Sequence, residues 1–83
     1  MYELSYSKKV LNSLKRFPTN EQQRIRSKIA DYAAAPKAHT HEVKKMKGRD
    51  GYRLRVGKWR VIFAVKGNVL EVLEVGARGS VYD

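Results

Sequence analysis

Between Gly51 and Val65 the chain reads GYRLRVGKWRVIFAV, with apolar and polar positions alternating on either side of the pair Gly57-Lys58. Alternation of this kind describes two strands that share one buried face. Gly at the first position of a two-residue loop suits a type II′ turn, because Gly takes positive φ without a Cβ clash. That turn sets the register: Val56 opposes Trp59, Leu54 opposes Val61 and Tyr52 opposes Phe63, so these apolar side chains form one surface. Arg53, Arg55 and Arg60 fall on the other face, with Arg55 directly opposite Arg60. Like charges so placed destabilise a hairpin by a few tenths to about 1 kcal/mol. An anion held between the two arginines would account for the pairing.

The flanking patterns supply the other elements. Tyr2, Leu4 and Tyr6 alternate with Glu3 and Ser5, which predicts a strand over 2–6. Ser7 is placed to cap a helix running to about Phe17, with Val10, Leu14 and Phe17 at helical spacing. Pro18 interrupts it. Thr19 or Asn20 then restarts a helix, each with a Gln three residues on, a capping-box arrangement. Ile25, Ile29, Tyr32 and Ala33 form its apolar stripe, and Pro36 stops it. Residues 37–50 show no clear period and read as a loop. Gly67-Asn68 marks a second tight turn, leading into a strand over Val69 to Gly76. In simple register Leu70 and Val72 face the helices, Leu73 and Val75 face the arginines, and Glu74 points to the core. Either a bulge shifts this register or Glu74 lies near the sheet end. The expected class is α+β: a small antiparallel sheet, β-α-α-β-β-β along the chain, with an αα-hairpin packed on one face. The 83 residues suit one domain spanning 1–83.

Composition adds a charge. Eighteen Lys and Arg against eight Asp and Glu give a net +10, which points to an anionic partner. Residues 1–50 carry twelve basic and five acidic side chains, residues 51–83 six and three. Charge spread over both halves suits a large polyanion and not only a single phosphate. Zero cysteines exclude disulfides and thiolate metal sites. His39 and His41 could ligate a metal, but no Cys or local carboxylate cluster completes a site, and surface imidazoles are the favoured reading. No run approaches the roughly 20 apolar residues needed to cross a bilayer, and there is no signal-peptide core. A cytoplasmic protein without a membrane partner is expected.

The order strand, two helices, three strands, with YRLRVGKWRVIFAV followed by LEVLEVGARGSVY, resembles the RelE/ParE superfamily of toxin components from bacterial toxin–antitoxin pairs. The resemblance covers nearly the whole chain, and the terminal V-G-x-R-x-x-x-Y is among its more specific parts. It implies that RelE-like members cut messenger RNA in the ribosomal decoding site without metal, and that ParE-like members act on DNA gyrase. The RelE-like site carries over onto Arg53 and Arg55 on the second strand, Arg60 on the third, Arg78 after the last strand and Tyr82 as the terminal aromatic. All five positions hold suitable residue types, which favours an RNase over a gyrase poison. Relatives commonly have lysine on the second strand. Arg effectively cannot release a proton near neutral pH, so Arg53 and Arg55 are cast as electrostatic stabilisers. Many relatives have His before the last arginine, where Ala77 stands. Some relatives also continue into a C-terminal helix, whereas this sequence stops at Asp83.

Cleavage without metal would use the 2′-hydroxyl as internal nucleophile, leaving a 2′,3′-cyclic phosphate and a 5′-hydroxyl. Arg60 and Arg78 are placed to stabilise the charge that builds on phosphorus, with Arg53 and Arg55 holding the phosphodiester. Tyr82 would stack on a base or move a proton. No acid–base pair converges in this reading, so activity is expected to depend on the ribosome to orient the substrate. Lys44, Lys45, Lys47, Arg49, Arg24 and Lys28 are expected to contact RNA backbone. The implied partners are a cognate antitoxin and the ribosome with its bound message and ribosomal RNA, with no metal and no small-molecule cofactor. The alternatives are a ParE-like gyrase inhibitor and a basic nucleic-acid-binding module without catalysis.

Overall fold

The computed structural model describes residues 1–48 and 50–77; Arg49, Arg78 and Tyr82 lie outside them. Four residues, Glu3–Tyr6, form β1. Helix α1 covers Lys8–Leu14, and its N-cap Ser7 accepts a hydrogen bond from the backbone N–H of Val10 at 3.1 Å. Losing such a cap costs about 1 kcal/mol. The helix ends one turn before the expected Phe17. Arg16 and Phe17 donate to carbonyls three residues back, the tighter 3-10 winding common at helix C-termini.

Helix α2 covers Thr19–Ala34, with Pro18 at the N-cap and no side-chain cap, so the predicted capping box does not form. Pro18 presets the φ needed to enter the helix. Gln22 instead donates from Nε2 to the carbonyl of Phe17 at 2.8 Å, holding the inter-helix turn. Val10 and Leu14 of α1, with Ile25, Ile29 and Ala33 of α2, lie one helical turn apart and are buried.

The 37–50 stretch is not simply a loop. Pro36–Glu42 forms a 3-10 segment kinked at His39, and Val43–Lys45 forms a short strand, β2. Three residues, two of them lysine, are too few to show a period. Lysine on a strand of this kind also discourages pairing with another chain, as suits its position at the sheet edge. Strands β3 (Tyr52–Val56), β4 (Trp59–Lys66) and β5 (Val69–Ala77) complete a sheet ordered β1-β5-β4-β3-β2.

The sheet is mixed, not antiparallel: β1 runs parallel to β5, from Glu3 opposite Val69 to Tyr6 opposite Val72. A parallel pair requires a long connection. Here that connection is everything between the two strands, both helices included.

The β3–β4 register matches the sequence reading pair for pair. Gly57 has φ +59 and Lys58 does not have positive φ, the combination of a type II′ turn. Between β4 and β5 the register shifts, with Ile62 opposite Glu74 and Phe63 opposite Val72. Leu73 is the extra residue of the bulge. Val75 therefore moves opposite Val61 and into the core, and Glu74 leaves it; the expectation that Val75 faces the arginines is corrected by this one-residue insertion.

The core lies between the helices and one sheet face, and includes Val10, Ile25, Ile29, Leu54, Val61, Phe63, Leu70 and Val72. Each fully buried aliphatic or aromatic side chain contributes about 1.5–3 kcal/mol. Tyr32 of α2 and Tyr52 of β3 pack on Phe63, with ring centroids 5.3 and 5.5 Å away. Phe17 stacks on Trp59 at 4.4 Å, and the Trp59 indole N–H donates to Glu21 of α2. Together these contacts fix the turn end of the hairpin against the helices. Among the described residues no helix is long and apolar enough to cross a membrane.

Candidate functional site

Because the core takes one sheet face, the other face is left to the alternate residues of β2, β3 and β4. Lys44 opposes Arg53, Arg53 opposes Ile62, and Arg55 opposes Arg60, so the four cations share that face. Ile62 among them is fully buried, an apolar floor between charged neighbours. A cleft of about 350 Å³ opens here, lined by His41, Glu42, Lys44, Arg53, Arg55 and Arg60. Three successive strands and the 3-10 segment contribute to it. A backbone scaffold of this kind holds guanidinium groups in place before a ligand arrives.

A second cleft, about 320 Å³, adjoins the first and shares Arg55 and Glu42 with it. Arg24, Ser27, Lys28 and Asp31 of α2 line its far wall, together with Val56 and Gly57. Glu42 stands between the two. Its carboxylate takes a 2.6 Å ion pair from Lys28 and a 3.1 Å contact from Nδ1 of His39. The Lys28 ammonium holds the Glu42 carboxyl below the usual glutamate range, against an opposing desolvation, and His39 adds to the effect. These contacts tie the 3-10 segment to α2 and so position the wall of the first cleft.

The residues predicted from sequence are sorted by this geometry. Arg53, Arg55 and Arg60 come together, and Lys44 joins them. Arg24 and Lys28 line the adjoining cleft. Lys45 pairs with Tyr52 and so belongs to the opposite sheet face, and Lys47 lies beyond β2, outside both clefts. Arg26, also on α2, sits over the ring of Tyr6 at 5.0 Å. Arg49, Arg78 and Tyr82 are outside the described residues. Among those described, no group of three or more His, Cys, Asp or Glu is arranged to hold a metal ion.

His41, expected as a surface imidazole, is exposed, and it and Glu42 both line the arginine cleft. A His and a Glu therefore do stand beside the arginines, the Glu42 carboxylate being held by Lys28 and His39. The only signal in the sequence was the proximity of His41 and Glu42 to Lys44. Without β2 to carry that lysine onto the arginine face, proximity along the chain had no spatial meaning.

This architecture and charge pattern have counterparts. The profile of one family, described as ParE toxin of type II toxin–antitoxin system, matches residues 4–82. A chain of the archaeal RelE–RelB complex from Pyrococcus horikoshii is 27% identical, over 94% of this chain and 96% of that one, with a TM-score of 0.78. A chain of the RelB–RelE antitoxin–toxin complex from Methanococcus jannaschii is 28% identical, over 95% of each chain, with a TM-score of 0.74. One from the intact RelBE complex of E. coli, at 20% identity over 93% of this chain and 96% of that one, shares the fold with a TM-score of 0.73. No curated protein matches the chain.

Proposed function

Because the chain belongs to the ParE toxin family of type II toxin–antitoxin systems, within the RelE/ParE superfamily, we propose that it is a toxin acting as a ribosome-dependent endoribonuclease on messenger RNA. The observation that carries this reading is the convergence of Arg53, Arg55, Arg60 and Lys44 in one cleft. Four cations around one opening suit a phosphodiester whose negative charge grows during reaction. In this reading the 2′-hydroxyl attacks the adjacent phosphorus, giving a 2′,3′-cyclic phosphate and a 5′-hydroxyl. Arg60 and Arg78 stabilise the five-coordinate phosphorus. Arg53 and Arg55 hold the non-bridging oxygens, and Tyr82 stacks on a base or moves a proton.

The net +10 supports a polyanionic platform, with Arg24, Lys28 and Lys44 on the cleft side and Lys45, Lys47 and Arg49 as further backbone contacts. The ribosome presents and orients the message, converting a bimolecular encounter into a positioned one. The partner in the cell is a cognate antitoxin, as the RelE–RelB complexes among the structural relatives suggest. Its segment would cover the cationic cleft.

Primer extension on messages translated in vitro, with and without the protein, tests this directly. In-frame cuts at the decoding site are expected, and Arg60→Ala should reduce them by roughly 10²- to 10³-fold. The ParE designation of the family profile favours a second reading, inhibition of DNA gyrase. On that reading messages stay intact, and purified protein blocks supercoiling whether or not Arg60 is present.

A further inference from the structure

We propose that His41 is the base that takes the proton from the attacking 2′-hydroxyl. The inference rests on the RNase reading and adds the proton carrier that the arginines cannot provide. Guanidinium groups stay charged near neutral pH and have no lone pair to offer. Three of the six side chains lining the first cleft are of that kind, and the fourth, Lys44, is an exposed ammonium on the edge strand β2. Glu42 is the fifth, and its carboxylate is already engaged by Lys28 and His39. A carboxylate stabilised in its ionised form is a poor proton acceptor.

His41 is the sixth. It is exposed, and no described residue is recorded as its hydrogen-bond or ion-pair partner, whereas His39 is held against Glu42. The two imidazoles therefore have different surroundings on either side of the kink at His39. His39 serves the anchor to α2, and His41 opens onto the arginines. Its backbone is held from both directions: the Glu42 side chain is tied to Lys28, and the N–H of Val43 donates to the carbonyl of Thr40. Imidazole also has a ring nitrogen that can take up a proton and give it back, which suits a base that must be regenerated at every turnover. The charged groups lining the cleft with it are Glu42 from the 3-10 segment, Lys44 from β2, Arg53 and Arg55 from β3 and Arg60 from β4. Lys28 of α2 and His39 are in contact with Glu42.

The step balances as follows. The unprotonated ring nitrogen of His41 accepts the 2′-hydroxyl proton as the 2′-oxygen forms its bond to phosphorus. The bond from phosphorus to the 5′-oxygen breaks, its electron pair leaves on that oxygen, and water supplies the proton that completes the 5′-hydroxyl. The resulting hydroxide takes the proton from the imidazolium, restoring His41.

The test is single-turnover cleavage of a message held in the ribosomal decoding site, by wild type, His41→Gln and His41→Ala, between about pH 5.5 and 9. Wild-type rate should rise with pH. Both variants should be slower by roughly 10²-fold or more and lose that rise. Added imidazole should restore His41→Ala and leave His41→Gln slow. Melting temperature and ribosome affinity, read on the same preparations, should be unchanged, because His41 is exposed and outside the core. If His41→Gln cuts at the wild-type rate with the wild-type pH profile, the assignment is overturned while the RNase reading stands. If wild type leaves the message intact, the RNase reading fails and the assignment falls with it.

Discussion

Arg55 and Arg60 face each other across the β3–β4 hairpin, immediately inside the turn-closing pair Val56 and Trp59. Neighbouring like charges at directly paired positions oppose folding, yet strand register allows neither residue to move away without carrying its whole strand to the other face. The repulsion is built into the element that shapes the cleft. Arg55→Thr should therefore raise stability by a few tenths to about 1 kcal/mol, read from urea denaturation at low salt. The same substitution should weaken ribosome binding and reduce the slope of log affinity against log salt by about 1. A variant that gains stability while losing affinity separates the two roles of this position.

Glu42 gives the fold a pH dependence. Its carboxyl lies below the usual glutamate range because Lys28 and His39 favour the ionised form. A group with a depressed folded-state pKa contributes stability above its unfolded pKa, and loses it as pH falls through the folded value. Thermal melts from neutral pH downward should thus show a loss beginning in the ordinary carboxylate range and continuing below it. In Glu42→Gln that part of the acid limb should be absent.

Gly57 carries the turn at φ +59, and a Cβ there would lie 2.9 Å from a guanidinium nitrogen of Arg24. The end of an arginine can swing aside at little cost, but the backbone cannot escape the left-handed conformation. Gly57→Ala should lower stability by about 1–2 kcal/mol, seen as a lower urea midpoint with an unchanged slope. It should also push Arg24 out of the second cleft, visible as a shift of its guanidinium NMR signals.

Trp59 joins the hairpin to α2 by stacking on Phe17 and by donating its indole N–H to Glu21. Trp59→Phe keeps an aromatic ring but removes the donor. Hydrogen bonds to charged groups contribute about 1.5–3 kcal/mol when buried. Glu21 is half-exposed, so the loss should fall near the lower end, with Glu21→Gln recovering little of it when combined with Trp59→Phe.

How much of this was legible in the sequence depends on how local the determining signal is. The β3–β4 register could be read because two residues, Gly57 and Lys58, set it and the alternation of Leu54, Val56, Trp59 and Val61 confirms it. Ser7 and Pro36 marked helix limits for the same reason. The bulge at Leu73 could be posed only as a choice, since its resolution depends on how Val75 packs against Val61. The parallel pairing of β1 has no local sign, because any half-apolar strand of four residues suits either edge of the sheet. Of the site, Arg53, Arg55 and Arg60 followed from the register alone. Lys44, His41 and Glu42 depended on β2 finding β3, and Lys28 on α2 reaching the 3-10 segment, both long-range events. Arg24 and Lys28 are legible only as basic residues on a helix; that they share a wall depends on how α2 packs.

The parallel strand also has a consequence in time. Residues of the first strand and its flanking turn meet their partners 66 positions further along, as Ser7 meets Leu73. During synthesis β1 must wait, unpaired, until β5 has been made and has left the exit tunnel. Contacts of such separation delay folding. The sheet that displays the cationic cleft is thus completed only after β5 has emerged, later than the strands β2, β3 and β4 that carry the cleft's cations.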